Sequence, residues 1–121
     1  MRPTERTLKW LRKMGYTAEV VEKRLPRSFI TKDLFGVLDI VAIKPGELGV
    51  LGLQVTSSAH VADRVKKVTD EPRATLWCAC GNWIWVVGWG LKGSAGRRKM
   101  WTPTVVKLHE RLAEGSATIA P

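Results

Sequence analysis

Apolar positions recur along the chain with two different spacings, and the changes of spacing divide it into elements. In residues 4–14, Leu8, Leu11 and Met14 form a helical stripe among Arg6, Lys9, Arg12 and Lys13. This predicts a helix capped by Thr4 and ended by Gly15. Residues 16–25 alternate and are rich in β-branched side chains (Thr17, Val20, Val21), which predicts a strand. Residues 26–32 read as a loop carrying Arg27 and Lys32. Residues 33–44 and 48–56 read as two more strands, joined by the turn Pro45-Gly46-Glu47. So short a connection makes them antiparallel neighbours.

Ser57 or Ser58 then caps a helix reaching about Val68, with Val61, Val65 and Val68 facing inward. Pro72 opens a short helix that carries Leu76 and Trp77 and stops at Gly81. Residues 82–91 form a tryptophan-dense strand, 92–98 a basic Gly/Ser turn, and 101–106 a last extended piece. From Lys107 the tail reads as a frayed helix with His109 and Leu112, and 115–121 as a loose end. The predicted order α-β-β-β-α-(α)-β-β packs as a three-layer α/β domain, a mixed central sheet flanked by helices. One domain fills the 121 residues, with its core over about residues 4–106.

Composition narrows the partners. An apolar content of 45% fits a globular domain and argues against disorder. No apolar run reaches the roughly 18 residues that a membrane span needs. The N-terminus enters a charged helix with no apolar signal-peptide segment, so a cytoplasmic location is expected. Cys78 and Cys80 lack partners with zinc-site spacing, since His60 and His109 stand alone, and they read as small buried residues in a reducing compartment. Twenty Lys and Arg against eleven Asp and Glu leave a net charge of +9, which suits a polyanion. DNA and RNA come before an anionic membrane face, because no Lys-rich amphipathic helix with a bulky apolar side is present.

One acid sits where hydrophobic patterning forbids it. Asp39 lies inside Leu-Asp-Ile-Val-Ala-Ile, sharing a strand face with Val37 and Val41. An unpaired buried carboxylate costs several kcal/mol, so something must compensate it. On the next strand Gln54 and Thr56 share a face, and the hairpin brings one or both beside Asp39. Oxygen ligands converging at a sheet edge are what Mg²⁺ takes, with Mn²⁺ as its substitute. Glu5, in the first helical turn, is a second carboxylate if that helix crosses the same edge. Asp33 shares Asp39's face if the strand is unbroken, whereas Gly36 points to a bulge that leaves Asp33 as a loop cap.

Glu5-Arg6 opening a helix that ends in Gly15-Tyr16 resembles the start of the archaeal-type Holliday-junction resolvases. The same is true of Asp39-Ile40-Val41-Ala42-Ile43-Lys44 followed, after a turn, by Gly52-Leu53-Gln54-Val55-Thr56-Ser57. These enzymes are a branch of the PD-(D/E)XK nuclease superfamily, and the likeness covers residues 4 to about 91. It implies a restriction-endonuclease-like αβββαβ core and a Mg²⁺-dependent endonuclease acting on branched DNA as a two-fold dimer. It also implies a phage-like or mobile-element setting. By resemblance Glu5, Asp39 and Gln54 hold the metal, and Thr56 takes the lysine position. The departures are Leu38 in place of the motif proline, Gln54 in place of an acid, and Thr56 in place of lysine. A cation must then reach in from elsewhere, and Lys32, Lys44 and Arg64 are the candidates.

Other features gain meaning from that site. His60, Arg64 and Lys67 share one face of the second predicted helix, a surface for phosphate if not a merely solvated one. Arg6, Arg27 and Lys32 join them as expected DNA contacts, and so do Arg97 and Arg98 in the late basic turn. Trp83, Trp85 and Trp89 share one strand face, which reads as core or, preferably, a dimer interface. Two alternatives to the nuclease stand beside it: a catalytically degenerate nuclease fold that only binds DNA, and an RNA- or protein-binding α/β domain in which Asp39 is structural.

Overall fold

The computed structural model describes residues 1–27, 30–109 and 112. Helix α1 spans Pro3–Lys13. It starts one residue earlier than the sequence pattern indicates: Pro3 takes the first helical position, where its missing N–H costs nothing, and Arg2 rather than Thr4 precedes the helix. Gly15 ends the helical segment at φ 93°, a left-handed conformation that favours glycine.

The predicted strand over 16–25 is broken. Strand β1 covers Thr17–Val20, and the chain then turns aside because the amides of Val21 and Glu22 both donate to the Asp39 carbonyl, at 2.9 and 3.3 Å. Strand β2 (Lys23–Arg24), still within the stretch predicted as extended, pairs with β3 (Thr31–Lys32), where a plain loop was expected, in a small antiparallel ribbon. Strand β4 is also shorter than predicted, covering only Ile40–Ile43. Residues before it fold into a turn, with the Gly36 amide donating to the Asp33 carbonyl at 3.0 Å and a bridge between Leu34 and Leu38. Phe35 and Gly36 take left-handed φ values of 55° and 76° there.

Strand β5 (Leu51–Ser57) pairs antiparallel with β4, Ile40 opposite Leu53, as the short turn requires. A single 3-10 turn, Ser58–His60, leads into α2 (Val61–Thr69), and α3 (Pro72–Ala79) follows. No side-chain cap from Ser57 starts the turn. The helical crossover returns the chain to β6 (Trp83–Lys92), which lies parallel to β5. Strand β7 (Met100–Lys107) completes a mixed five-stranded sheet in the order β1-β4-β5-β6-β7. Among the described residues no strand pairs with its outer side, and Pro103 lies in mid-strand.

Helix α1 covers one face of the sheet and α2 with α3 the other, so the protein has three layers. On the α1 side Leu11 packs with Ile40, Leu53, Val87 and Trp89. On the other, Val61, Val68 and Cys78 pack with Leu38, Ile84 and Val86. Burial pushes the Cys78 thiol up to about 11, whereas Cys80 is exposed, so only one of the two cysteines is the buried residue expected. The tryptophan stripe does share a face, but α1 sits on it. Trp10 meets Trp85 and Trp89 at ring distances of 6.0 and 5.9 Å, so these two rings pack into the α1 side of the core. Lys107 still belongs to β7, but His109 and Leu112, the residues named for the expected tail helix, are helical, with the Leu112 amide donating to the Leu108 carbonyl at 3.2 Å. Leu108 and Leu112 are buried, whereas the loose end expected over 115–121 lies outside the described residues. No helix among the described residues is long and apolar enough to cross a membrane.

Candidate metal centre

Asp39 immediately precedes β4, and its amide donates to the Leu53 carbonyl at 2.8 Å, which fixes it beside the C-terminal half of β5. One carboxylate oxygen, Oδ2, accepts from the Gln54 side-chain amide at 2.6 Å and from the Val55 backbone amide at 2.8 Å. The pairing of Asp39 with Gln54 follows from strand register: one residue beyond Ile40 and Leu53, both side chains fall on the same face.

Two further acids arrive by routes other than a strand. Glu22 is carried in by the backbone bonds that tie residues 21 and 22 to the Asp39 carbonyl. Asp33 is folded back by the turn at Phe35-Gly36. Carboxylate oxygens of Glu22, Asp33 and Asp39 lie within 4.8 Å of one another. Like charges so close resist ionising together. Burial pushes the Asp39 carboxyl up, the Val55 amide opposes it, and the neighbouring Asp33 adds to the rise, leaving the group at about 7.

Cations rim the same cleft, which has a volume of about 420 Å³. Lys67 Nζ lies 3.4 Å from Asp33 Oδ2, and Lys32 and Arg64 line the walls. The donor chemistry fits a hard divalent cation: three carboxylates, with room left for water and a phosphate oxygen. A second observation agrees with it. Gln54 Oε1 is fully buried and has no hydrogen-bond partner among the described residues, and such a group is short of a positive neighbour. Rotating that amide would exchange Nε2 for Oε1 beside Asp39, the arrangement favoured by an ion between them.

The structure redistributes the residues expected at this site. Asp39, Gln54 and Lys32 come together there, and so do Arg64 and Lys67. Glu5 does not: it is exposed on the first turn of α1, outside the gathered acids, and its neighbour Thr4 lines the cleft instead. Thr56 is buried opposite Gly88 and does not line the cleft, whereas Val55 does. Lys44 is spent elsewhere, its ammonium 5.2 Å above the Tyr16 ring. His60 is exposed and lies 3.7 Å from Asp63, and Arg27 is exposed on the β2–β3 connection. Arg6 lies over the Trp101 ring, and Arg98 lines a groove beside it; Arg97 is exposed on the hairpin. Glu22 was not foreseen as a ligand. Its one sequence signal is an acid directly after Val20-Val21, where an unbroken strand would continue.

Comparison of the chain with known family profiles, with curated proteins and with solved structures returned no match. The case for function therefore rests on the geometry and chemistry of this site.

Proposed function

We propose that this protein is a metal-dependent DNA endonuclease that hydrolyses phosphodiesters in branched DNA and works as a homodimer. The observation that carries the reading is the convergence of Glu22, Asp33 and Asp39 on one cation-rimmed cleft at the sheet edge. A carboxylate trio without phosphate-binding groups would fit any divalent-cation site. Here Lys32, Arg64 and Lys67 add the positive charge that a DNA backbone needs. The branched substrate and the dimer are supported by the resemblance of the segments around Glu5, Asp39 and Gln54 to junction resolvases.

In this reading Asp39, Glu22 and Asp33 hold Mg²⁺ or Mn²⁺, with Gln54 at the inner wall. When bound, the ion supplies polarisation of a phosphodiester oxygen and a lowered pKa for an attacking water. Asp39 must give up its proton to take part, and the Val55 amide helps by stabilising the carboxylate. Lys67 is the cation that replaces the missing motif lysine. It already faces Asp33, and on substrate binding it can turn to the charge developing on the phosphate. Arg64 and Lys32 seat the adjoining backbone and orient the scissile bond.

The test is a titration of Mg²⁺ and of Mn²⁺ against four-way junction, flap, single-stranded and linear duplex DNA. Cleavage should appear, stop with EDTA, and vanish in Asp39→Asn while DNA binding is retained. An Asp39→Asn protein that cuts junctions as fast as wild type overturns the reading. A second reading, a binding module without catalysis, is favoured by one observation: Gln54 presents its amide N–H₂, not its oxygen, to Asp39. DNA binding with no cleavage of any substrate under either metal would establish that reading instead.

A further inference from the structure

A second feature stands on the opposite side of the α1 N-terminus. Thr4 lines the acid cleft, and Arg6, two residues on, lines a separate groove of about 650 Å³. Two residues are about 3 Å of helix, so the first turn of α1 is the wall between the two. Strand register places both at one end of the sheet, because Gln54 lies opposite Val86 and Ser57 opposite Trp89 in the parallel pair. The groove is finished by the β6–β7 hairpin, through Leu91, Arg98, Lys99, Met100 and Trp101. From β4 to β7 is three strand spacings, about 14 Å across the sheet, and from Val86 to Leu91, opposite Trp101, is about 17 Å along it. A span of roughly 20 Å therefore separates the two, which a few nucleotides of extended chain can cross.

The chemistry of the groove is specific. The Arg6 guanidinium lies 4.4 Å from the Trp101 ring centroid and 5.9 Å from that of Trp89, held between two aromatic side chains. Stacking of this kind leaves the edge N–H groups of the guanidinium available for a phosphate. None of the ion pairs among the described residues involves Arg6, Arg98 or Lys99. The whole hairpin from Trp83 to Lys107 carries Lys92, Arg97, Arg98, Lys99 and Lys107 and no acidic residue. Trp101 is itself 49% exposed. Trp89, by contrast, is buried and donates its indole N–H to Thr7 Oγ1 at 2.8 Å, so it anchors the stack from within.

We propose that this groove binds an unpaired stretch of DNA, with a base stacked on Trp101 and its flanking phosphates seated on Arg6, Arg98 and Lys99. The proposal rests on the reading of the substrate as DNA and deepens it by naming the strand state recognised. Phosphate contacts alone would serve duplex and single strand alike. A ring left half in water, with Arg6 stacked on it and Arg98 and Lys99 outside every ion pair of the described residues, suits a base that has left its helix. Branch points and flaps supply such bases a few nucleotides from the phosphate to be cut.

Binding of the full chain is measured in EDTA, so that no cleavage enters, to single-stranded oligo-dT, a fork with one unpaired arm, and a blunt duplex. Trp101→Ala should weaken oligo-dT and fork binding about tenfold and change blunt-duplex binding by less than about twofold. Trp101→Phe, which keeps a stacking ring, should retain most of the affinity for all three. Arg98→Ala with Lys99→Ala should flatten the salt dependence of oligo-dT binding. The proposal is overturned if Trp101→Ala binds every ligand as wild type does, if it weakens all three equally, or if Trp101→Phe is as weak as Trp101→Ala. Equal weakening together with loss of a dimer would assign the patch to a second copy of the chain. Because metal is absent throughout, a protein that never cleaves DNA can still pass this test, and a failure at Trp101 leaves the acid site untouched.

Discussion

Asp39 accepts two hydrogen bonds on one oxygen while sitting beside another acid, and its ionisation is coupled to the fold. In the folded chain the carboxyl keeps its proton up to about 7, while its ordinary value is 3.8. Between those limits the folded form binds more protons than the unfolded one, so stability falls as pH rises and the loss is complete above about 7. Urea unfolding in EDTA should therefore give a lower midpoint at about pH 8 than at about pH 5, and Asp39→Asn should narrow that difference. Added Mg²⁺ should raise the midpoint at the higher pH and do little at the lower, where the proton competes with the ion. The nearness of Asp39 to Gln54 was legible because strand side chains alternate with a fixed period. Asp33 was legible beside Asp39 only as one of two alternatives, along a strand that is in fact broken, and Glu22 was not legible. Both reach the site through backbone turns, and those depend on which carbonyl an amide finds in three dimensions.

At the scale of elements, the β5–β6 pair and the helices crossing between them set the position of the helix face that carries Arg64 and Lys67. Gly88 is a tight point of that packing: a Cβ there would sit 2.2 Å from Val61 Cγ2 and 2.9 Å from the Ser57 carbonyl oxygen. Gly88→Ala should cost roughly 1–3 kcal/mol, read as a lowered thermal midpoint. It should also weaken DNA binding, since Val61 opens the helix that carries Arg64 and Lys67. Helices α1, α2 and α3, the β4–β5 hairpin and the tryptophan-rich β6 were readable from apolar spacing and turn residues. The long strands expected over 16–25 and 33–44 were not continuous. Their β-branched content reports a preference for extended backbone, and the bonds to the Asp39 carbonyl and the Leu34–Leu38 bridge break them. The α1-covered tryptophans show the same limit, since even spacing identifies a face and not what lies on it.

For the molecule as a whole, the net charge of +9 suits a polyanion, and binding of that origin weakens as salt rises. Arg64 and Lys67 line the acid cleft, so replacing both with glutamine should reduce the slope of log affinity against log salt by about two for duplex DNA. Fluorescence anisotropy over a salt series would measure it, and an unchanged slope would remove these residues from the contact surface. The sheet's outer strand bears on assembly in another way. A bare β-edge invites a neighbouring chain to continue the sheet, and repeated joins of that kind end in fibres. Pro103, midway along β7, has no N–H to offer an incoming strand, so the row of donors has a gap at its centre. Sheet extension across β7 is therefore discouraged, and a second copy that approached this side would meet it through side chains. If many copies gathered on the DNA proposed as substrate, each would then stay separable from the next.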